Sequence, residues 1–340
     1  MILFMSHSMV MNKVRSEIRH MYMHNKKGGV SVTETKLDPA FFESEIRQGY
    51  QITAEAKRLW AVELELLREL DRVCKKLGLK YFLDSGTLLG AVRDGHFIPW
   101  DDDIDVIMLR KDYNKLVEDA GKSFGDDYFF QCAYTDTLYF RGHAQLRKKG
   151  TCAMLPYEAK HVKFDQGVFI DVFVLDGIAP SKEELKEQFR QKEKIRKLLQ
   201  IISNPASPNK IKMAVKVLLA GPCKLVYRNV VNFYSKYEEI CSRYEGSEYV
   251  DKIMFRTDCS KVIYQKKEWF ADSINIDFEG EPFPVPVGYD DVLKSYFGDN
   301  YMIPKKAPTM HGGLIIDVDR SYKEVLKNMR QKKSLISQSR

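Results

Sequence analysis

The chain has 340 residues, 44% of them hydrophobic, and a net charge of +7. That is enough apolar material for one large domain or two modest ones without disulfide staples. Its six cysteines are scattered with no Cys-x-x-Cys pair, which indicates neither a zinc knuckle nor a disulfide framework and suits reduced thiols in the cytoplasm.

Residues 1–50 begin with an apolar stretch broken by Ser6, His7 and Ser8, with no basic residue ahead of it. It is a poor signal peptide and too short to span a bilayer, so these residues read as a weakly ordered leader. From 54 to 77, Leu59, Val62, Leu66, Leu70, Val73 and Leu77 recur every three or four positions and Gly78 follows, which predicts an amphipathic helix with a glycine stop. "KYFLD" (80–84) reads as a buried strand that runs into Ser85-Gly86-Thr87 and a helical "LLGAVRDG". A strand, a small-residue turn and a helix start leave backbone N–H groups and the positive helix end available to an anion.

After Gly95 and Pro99, "DDDIDVIML" (101–109) alternates as a strand does, with Asp101, Asp103 and Asp105 on one face and Asp102 on the other. "AQLRKKGT" (144–151) and "GVFIDVFVLDGI" (167–178) read as further strands, and in the second Asp171 shares a face with Phe169 and Phe173.

Residues 181–244 hold 14 Lys or Arg against 6 Asp or Glu, a local excess that points to a local partner. They read as two or three helices broken at "SNPASPNK" (203–210) and at Gly221-Pro222. The 23-residue run from 211 to 233 is apolar enough to suggest a span, but Lys212, Lys216, Lys224, Arg228 and Pro222 argue against one. Two readings stay open: helices packed on the core with a solvated lysine face, or a basic amphipathic surface touching an anionic membrane through 211–240. The remainder, 246–318, is shorter-period α+β material, and 321–340 is a basic tail expected to fray. The expected organisation is therefore a leader (1–50), a catalytic core (51–180), a basic helical insertion (181–245), a C-terminal part of the same domain (246–320) and the tail.

An aspartate inside an apolar strand is costly to bury unless it is paired or binds a metal. Asp103 and Asp105 from one strand and Asp171 from another would make an oxygen-only site, which suits Mg²⁺ or Mn²⁺ rather than zinc. Alternate residues on a strand lie about 6–7 Å apart, so their carboxylates can converge on one ion or bridge two held about 3.5–4 Å apart. With the Ser85-Gly86 turn, this describes metal-assisted attack on a phosphate. The alternative is an acidic loop, solvated and paired with Lys or Arg.

A strand, Ser-Gly at a helix start, Asp-x-Asp on a strand and a third Asp on a later strand together resemble the nucleotidyltransferase superfamily. The spelling "YFLDSGTLLGAVRDGHFIPWDDDIDV" is similar, more narrowly, to the LicD family, which has fukutin and fukutin-related protein as distant members. "QLRKKGT", "FIDVFVLDGI" and "FEGEPFPVPVGYDDVLKSYFGDNYMIP" resemble later motifs of that family, so the likeness runs from about 55 to about 315.

The resemblance implies an α+β fold, a nucleotidyltransferase-like mixed sheet flanked by helices. It implies transfer of a phospho-alcohol, phosphocholine first, from a CDP-alcohol to a sugar hydroxyl of a surface glycan (lipopolysaccharide, capsule or teichoic acid), with release of CMP. Asp103 and Asp105 match its metal-binding pair, with Asp101 as a possible extra ligand, and Asp171 matches the third carboxylate, a candidate general base. Ser85 and Gly86, with Thr87, match the phosphate-contacting turn, and Arg147 matches a cation for the donor phosphates.

Trp100 is a candidate to stack on cytosine or hold a quaternary ammonium, or else to seal the core. Arg93 and His96 read as helix-end cations or as phosphate steering groups. Tyr296, Asp299 and His311 are weaker candidates. The expected setting is cytoplasmic, peripheral on the inner face of the membrane, with a lipid-linked acceptor and no nucleic acid. Two alternatives remain: a nucleotidyltransferase that expels pyrophosphate, and a catalytically silent glycan- or membrane-binding relative.

Overall fold

The protein is described by a computed structural model over residues 37–119, 121–159, 164–203, 209–226, 230–306 and 313–338. Helix α1 (Ala54–Leu77) begins where Thr53 accepts the Ala56 N–H and ends where Gly78 takes φ 64°, the left-handed cap that a residue without a side chain adopts cheaply. Leu59, Leu66, Leu70 and Val73, from the periodic stripe, are buried. Ahead of it β1 (Glu45–Arg47) and β2 (Tyr50–Ile52) pair as a hairpin, so the part of the leader next to α1 is structured. Residues 1–36 lie outside the described residues.

The chain continues through β3 (Phe82–Leu83), α2 (Ser85–Asp94), β4 (Asp105–Leu109), α3 (Arg110–Asp119), β5 (Tyr128–Gln131), β6 (Ala144–Lys148), β7 (Cys152–Met154) and β8 (Phe169–Gly177). Helices α4 (Lys182–Ser203), α5 (Lys210–Val226) and α6 (Val230–Cys241) follow, over the span expected as a helical insertion. Then come β9 (Tyr249–Asp251), β10 (Gln265–Lys266), β11 (Ser273–Phe278), β12 (Glu281–Pro286), α7 (Tyr289–Phe297), β13 (Ile315–Asp317) and α8 (Tyr322–Gln338).

The central sheet runs β10-β9-β8-β4-β3, with β6 also on β8 and β5 on β6. β8 is its axis: all nine of its residues are buried, it runs parallel to β4 and it is antiparallel to β6 and β9. A strand covered on both faces reads as an unbroken apolar run, which "FIDVFVL" nearly is. This is the expected α+β architecture, a mixed sheet flanked by helices.

The strand expected from 101 starts only at Asp105. Helix α5 passes through Gly221-Pro222 without a break, and the basic tail, expected to fray, is helical over Tyr322–Gln338. Val325 of that helix packs with Cys152 and Met154 of β7, an apolar anchor the charge-rich tail sequence obscures.

The insertion is tied to the sheet by a buried ion cluster. Arg110, at the start of α3, donates to both oxygens of Asp176 on β8 (2.7 and 2.8 Å) and to Glu238 on α6 (3.2 Å). Removing one partner of a buried pair strands the other charge in a medium that solvates it poorly. Arg110→Leu is therefore expected to lower stability by about 3–5 kcal/mol, read as a lower urea midpoint, whereas Arg190→Leu, at an exposed ion pair on α4, should leave the midpoint nearly unchanged because solvent screens that pair.

Candidate active site

The parallel pairing of β4 and β8 sets Asp105 directly opposite Asp171, and paired residues on neighbouring strands share a face. The start of β4 is held by backbone ties on each side. Asp171 N donates to Ile104 O (2.9 Å), Asp84 N to Asp105 O (3.0 Å), and Asp105 N to Thr87 Oγ1 (2.9 Å). Carboxylate oxygens of Asp103, Asp105 and Asp171 come within 4.8 Å of one another, and so do those of Asp101, Asp102 and Asp103. Because 101–104 is irregular rather than a strand, Asp102 is not turned away from its neighbours as strict alternation required.

Crowding and burial make these carboxyls hard to ionise. Burial, reinforced by the charges of Asp103 and Asp171, pushes Asp105 well above the carboxylate range, with Lys252 working the other way. Burial and the Asp105 charge raise Asp101 from 3.8 to about 7. Glu63, on α1 and only 2% exposed, is pushed up by its own burial and then by Asp103, Asp102 and Asp101. Such a cluster invites a cation. Its oxygen-only donors fit Mg²⁺ or Mn²⁺.

Beside the carboxylates lies the turn into α2. Ser85 holds φ 50°, an uncommon state for a residue with a side chain. Its hydroxyl donates to Asp84 Oδ2 (3.0 Å) and accepts from Lys252 Nζ (2.9 Å). A methyl group on Gly86 would overlap the Asp101 carboxylate, so only glycine lets that carboxylate close on the turn. The first intrahelical bond is Leu88 N to Asp84 O, which leaves the N–H groups of Ser85, Gly86 and Thr87 ahead of it at the positive helix end. Ser85 and Gly86 line the cleft described below, whereas the Thr87 side chain is buried and clamps β4.

Lys252, next to β9, is 5% exposed and its Nζ lies 2.6 Å from Asp84 Oδ2. Burial opposes its charge, but Asp84, Tyr296 and Asp105 hold its pKa above the ordinary lysine value. Nothing local in "VDKIMF" marks this lysine, which meets Asp84 from 168 residues away.

Arg147 requires a correction: the structure does not bring it to the cleft. It is fully buried, where it donates to Gly167 O (2.6 Å) and to the side-chain oxygens of Gln131 and Gln145 and lies over the Phe169 ring. β6 is covered on both faces, so this side chain ends inside the protein. Gln145 in turn donates to Asp171 Oδ1 (2.6 Å). Arg147 thus positions a carboxylate at one remove. His143, which the sequence reading overlooked, puts Nε2 3.1 Å from the same Asp171 oxygen. The alternation of His143, just ahead of β6, with Gln145 and Arg147 on it was the available signal.

These groups open onto a cleft of about 930 Å³. Asp101, Asp103, Asp105 and Asp171 line it, with Lys252 and Arg256 among its cations and Trp100, Phe255 and Tyr296 among its aromatic walls. Trp100 is half-buried and meets Tyr50 edge-on. Arg93 lines the cleft but pairs with Asp94 (2.7 Å). His96 instead meets Glu279 (3.2 Å) and, like Asp299, does not line the cleft. His311 lies outside the described residues.

Residues 78–174 match the LicD/FKTN/FKRP nucleotidyltransferase domain, a span that contains the turn, the acidic cluster and Asp171. The lipopolysaccharide cholinephosphotransferase LicD of Haemophilus influenzae is 26% identical over 245 residues, covering 71% of this chain and 89% of that protein. The human ribitol 5-phosphate transferase FKRP is 38% identical over 66 residues, or 18% of this chain and 13% of that protein. An uncharacterized protein of Rickettsia prowazekii is 42% identical over 48 residues, 14% of this chain and 18% of that one. The likeness to the LicD family read from the motifs is borne out.

Two outcomes test this geometry. Since Asp101 and Asp105 have raised pKa values in the fold, the metal-free protein binds more protons than its unfolded chain, and its stability falls as pH rises from about 4 through about 7. Millimolar Mg²⁺ should counter that loss, so its increment in thermal midpoint should be larger at pH 8 than at pH 6 in calorimetry, where protons compete for the same oxygens. For Arg147→Met, the buried amide and carbonyl partners lose their donor, which costs about 1–3 kcal/mol each when unsatisfied. Urea unfolding should register that loss, while the Michaelis constant for a diphosphate donor changes less than about threefold.

Proposed function

We propose that this LicD-like chain is a transferase that moves phosphocholine from CDP-choline to a sugar hydroxyl of a lipopolysaccharide-type glycan and releases CMP. The observation that carries the reading is the register of Asp105 against Asp171, which gathers carboxylates along a cleft beside the start of α2. Likeness to a cholinephosphotransferase over most of the chain supports the choice of phosphocholine.

In this reading Asp103, Asp105 and Asp171, with Asp101 beside them, hold Mg²⁺ or Mn²⁺. The ion, when bound, would neutralise charge on the diphosphate. The chain's own groups do the rest. The Ser85 and Gly86 N–H groups receive phosphoryl oxygens, as a helix start does, and Lys252 supplies a fixed positive charge next to them. Asp171, supported by Gln145 and beside His143, accepts the proton of the attacking sugar hydroxyl. Trp100 and the other aromatic walls offer faces to the cytosine or to the choline ammonium. The clustering of intact carboxylates disfavours a catalytically silent relative, since mutual repulsion has no structural use.

Incubation with CDP-alcohols and Mg²⁺, followed by separation of products, should give CMP, fastest from CDP-choline. Pyrophosphate in its place would mark the chain as a nucleotidyltransferase. Asp105→Asn and Asp171→Asn should each slow CMP release by about 10²-fold or more. The metal-free thermal midpoint of Asp105→Asn should stay level or rise, because one repelling charge is gone. Unchanged turnover in a folded Asp105→Asn protein would refute the metal assignment.

A further inference from the structure

Helix α5 is packed the wrong way round for a soluble bundle. Among its described side chains, half-buried Met213 and Lys216 face the molecule, and Lys216 lines the cleft. Ile211, Val215 and Leu218 recur at the i, i+4, i+7 spacing of a single stripe, and that stripe points outward. Ile211 and Leu218 are each 77% exposed and Val215 is 50% exposed. A surface helix ordinarily turns such a stripe inward.

The charge around it has one sign. Residues 194–237 contain nine Lys or Arg and no Asp or Glu. Exposed apolar side chains recur at the same cleft from the end of α7 into the turn after it: Phe297 is 40% and Ile303 60% exposed and both line it, as does Lys305, with one exposed acid, Asp299, between them that does not line the cleft. Among the described residues no helix is long and apolar enough to cross a membrane. A helix with an exposed apolar stripe and flanking lysines, in a stretch of sequence free of Asp and Glu, matches a surface that lies in the interface of an anionic bilayer.

We infer that α5, together with the Phe297–Ile303 rim, docks this protein on the surface of an anionic lipid bilayer, with the mouth of the cleft turned toward the lipid. The apolar stripe enters the headgroup–acyl boundary and Lys212 meets lipid phosphates. Lys216, on the inner side of the same helix, stays with the cleft. Docking would deliver an acceptor sugar attached to lipid without either substrate crossing the bilayer. The surface is argued independently of the activity proposed above, and its test does not use turnover.

The experiment is co-sedimentation of the full chain with phosphatidylglycerol/phosphatidylethanolamine vesicles and with phosphatidylcholine vesicles, in low and high salt. Strong binding to the anionic vesicles is expected, weakened by salt because the Debye length shrinks, with little binding to phosphatidylcholine alone. The double variant Ile211→Ser/Leu218→Ser, its fold checked by circular dichroism, should lose at least about tenfold in vesicle affinity, since several buried methylenes are removed. Vesicle binding unchanged in that variant, or none to anionic vesicles at low salt, would overturn the inference. So would light scattering that shows a lipid-free dimer which the variant dissolves, because the stripe would then belong to a second copy of the chain.

Discussion

Repulsion among carboxylates is the constraint on which this architecture turns. Asp101, Asp103, Asp105 and Asp171 would separate in an unconstrained chain, since like charges at such spacing in a partly dry site repel by several times their value in water. They stay together because the β4–β8 register and the ties to Asp84, Thr87 and Ile104 leave them nowhere to go. Their resistance to ionisation, carried as far as buried Glu63, is the electrostatic signature of that confinement.

Around the cluster, each supporting group limits a freedom that its side chains would otherwise have. Ser85 is held in a left-handed conformation by Asp84 and Lys252. Local strain of this kind persists where surroundings over-determine it, and it concentrates at functional sites. Gly86 makes room for Asp101. Arg147, buried among neutral oxygens, orients Gln145, which orients Asp171. Burial lowers the Arg147 pKa, yet its fixed fork of donors suits three separate acceptors in a way no lysine could.

The helical insertion has a double relation to this centre. On one side the Arg110–Asp176–Glu238 cluster joins α6 to the sheet. On the other, α5 sends Lys216 to the cleft while presenting apolar side chains to the exterior. Helices between β8 and β9 can therefore change what the cleft meets without altering the carboxylates that line it, because those carboxylates are positioned by the rigid sheet.

Much of the local structure was written in the sequence. Helix α1 with its Gly78 stop, the start of α2 at Ser85, the buried run of β8 and the oxygen-rich character of 101–105 all follow from near neighbours, because period, caps and turns are settled within a few residues. What only the tertiary structure decided depends on partners far along the chain. Asp105 faces Asp171 because β4 and β8 pair in parallel at one register. Arg147 turns inward because Gln131 and Gly167 enclose it, and Lys252 becomes part of the site by crossing to Asp84. The outward stripe of α5 is of the same kind. Periodicity shows that a helix has an apolar face, but which way that face points is set by what the rest of the molecule packs against it.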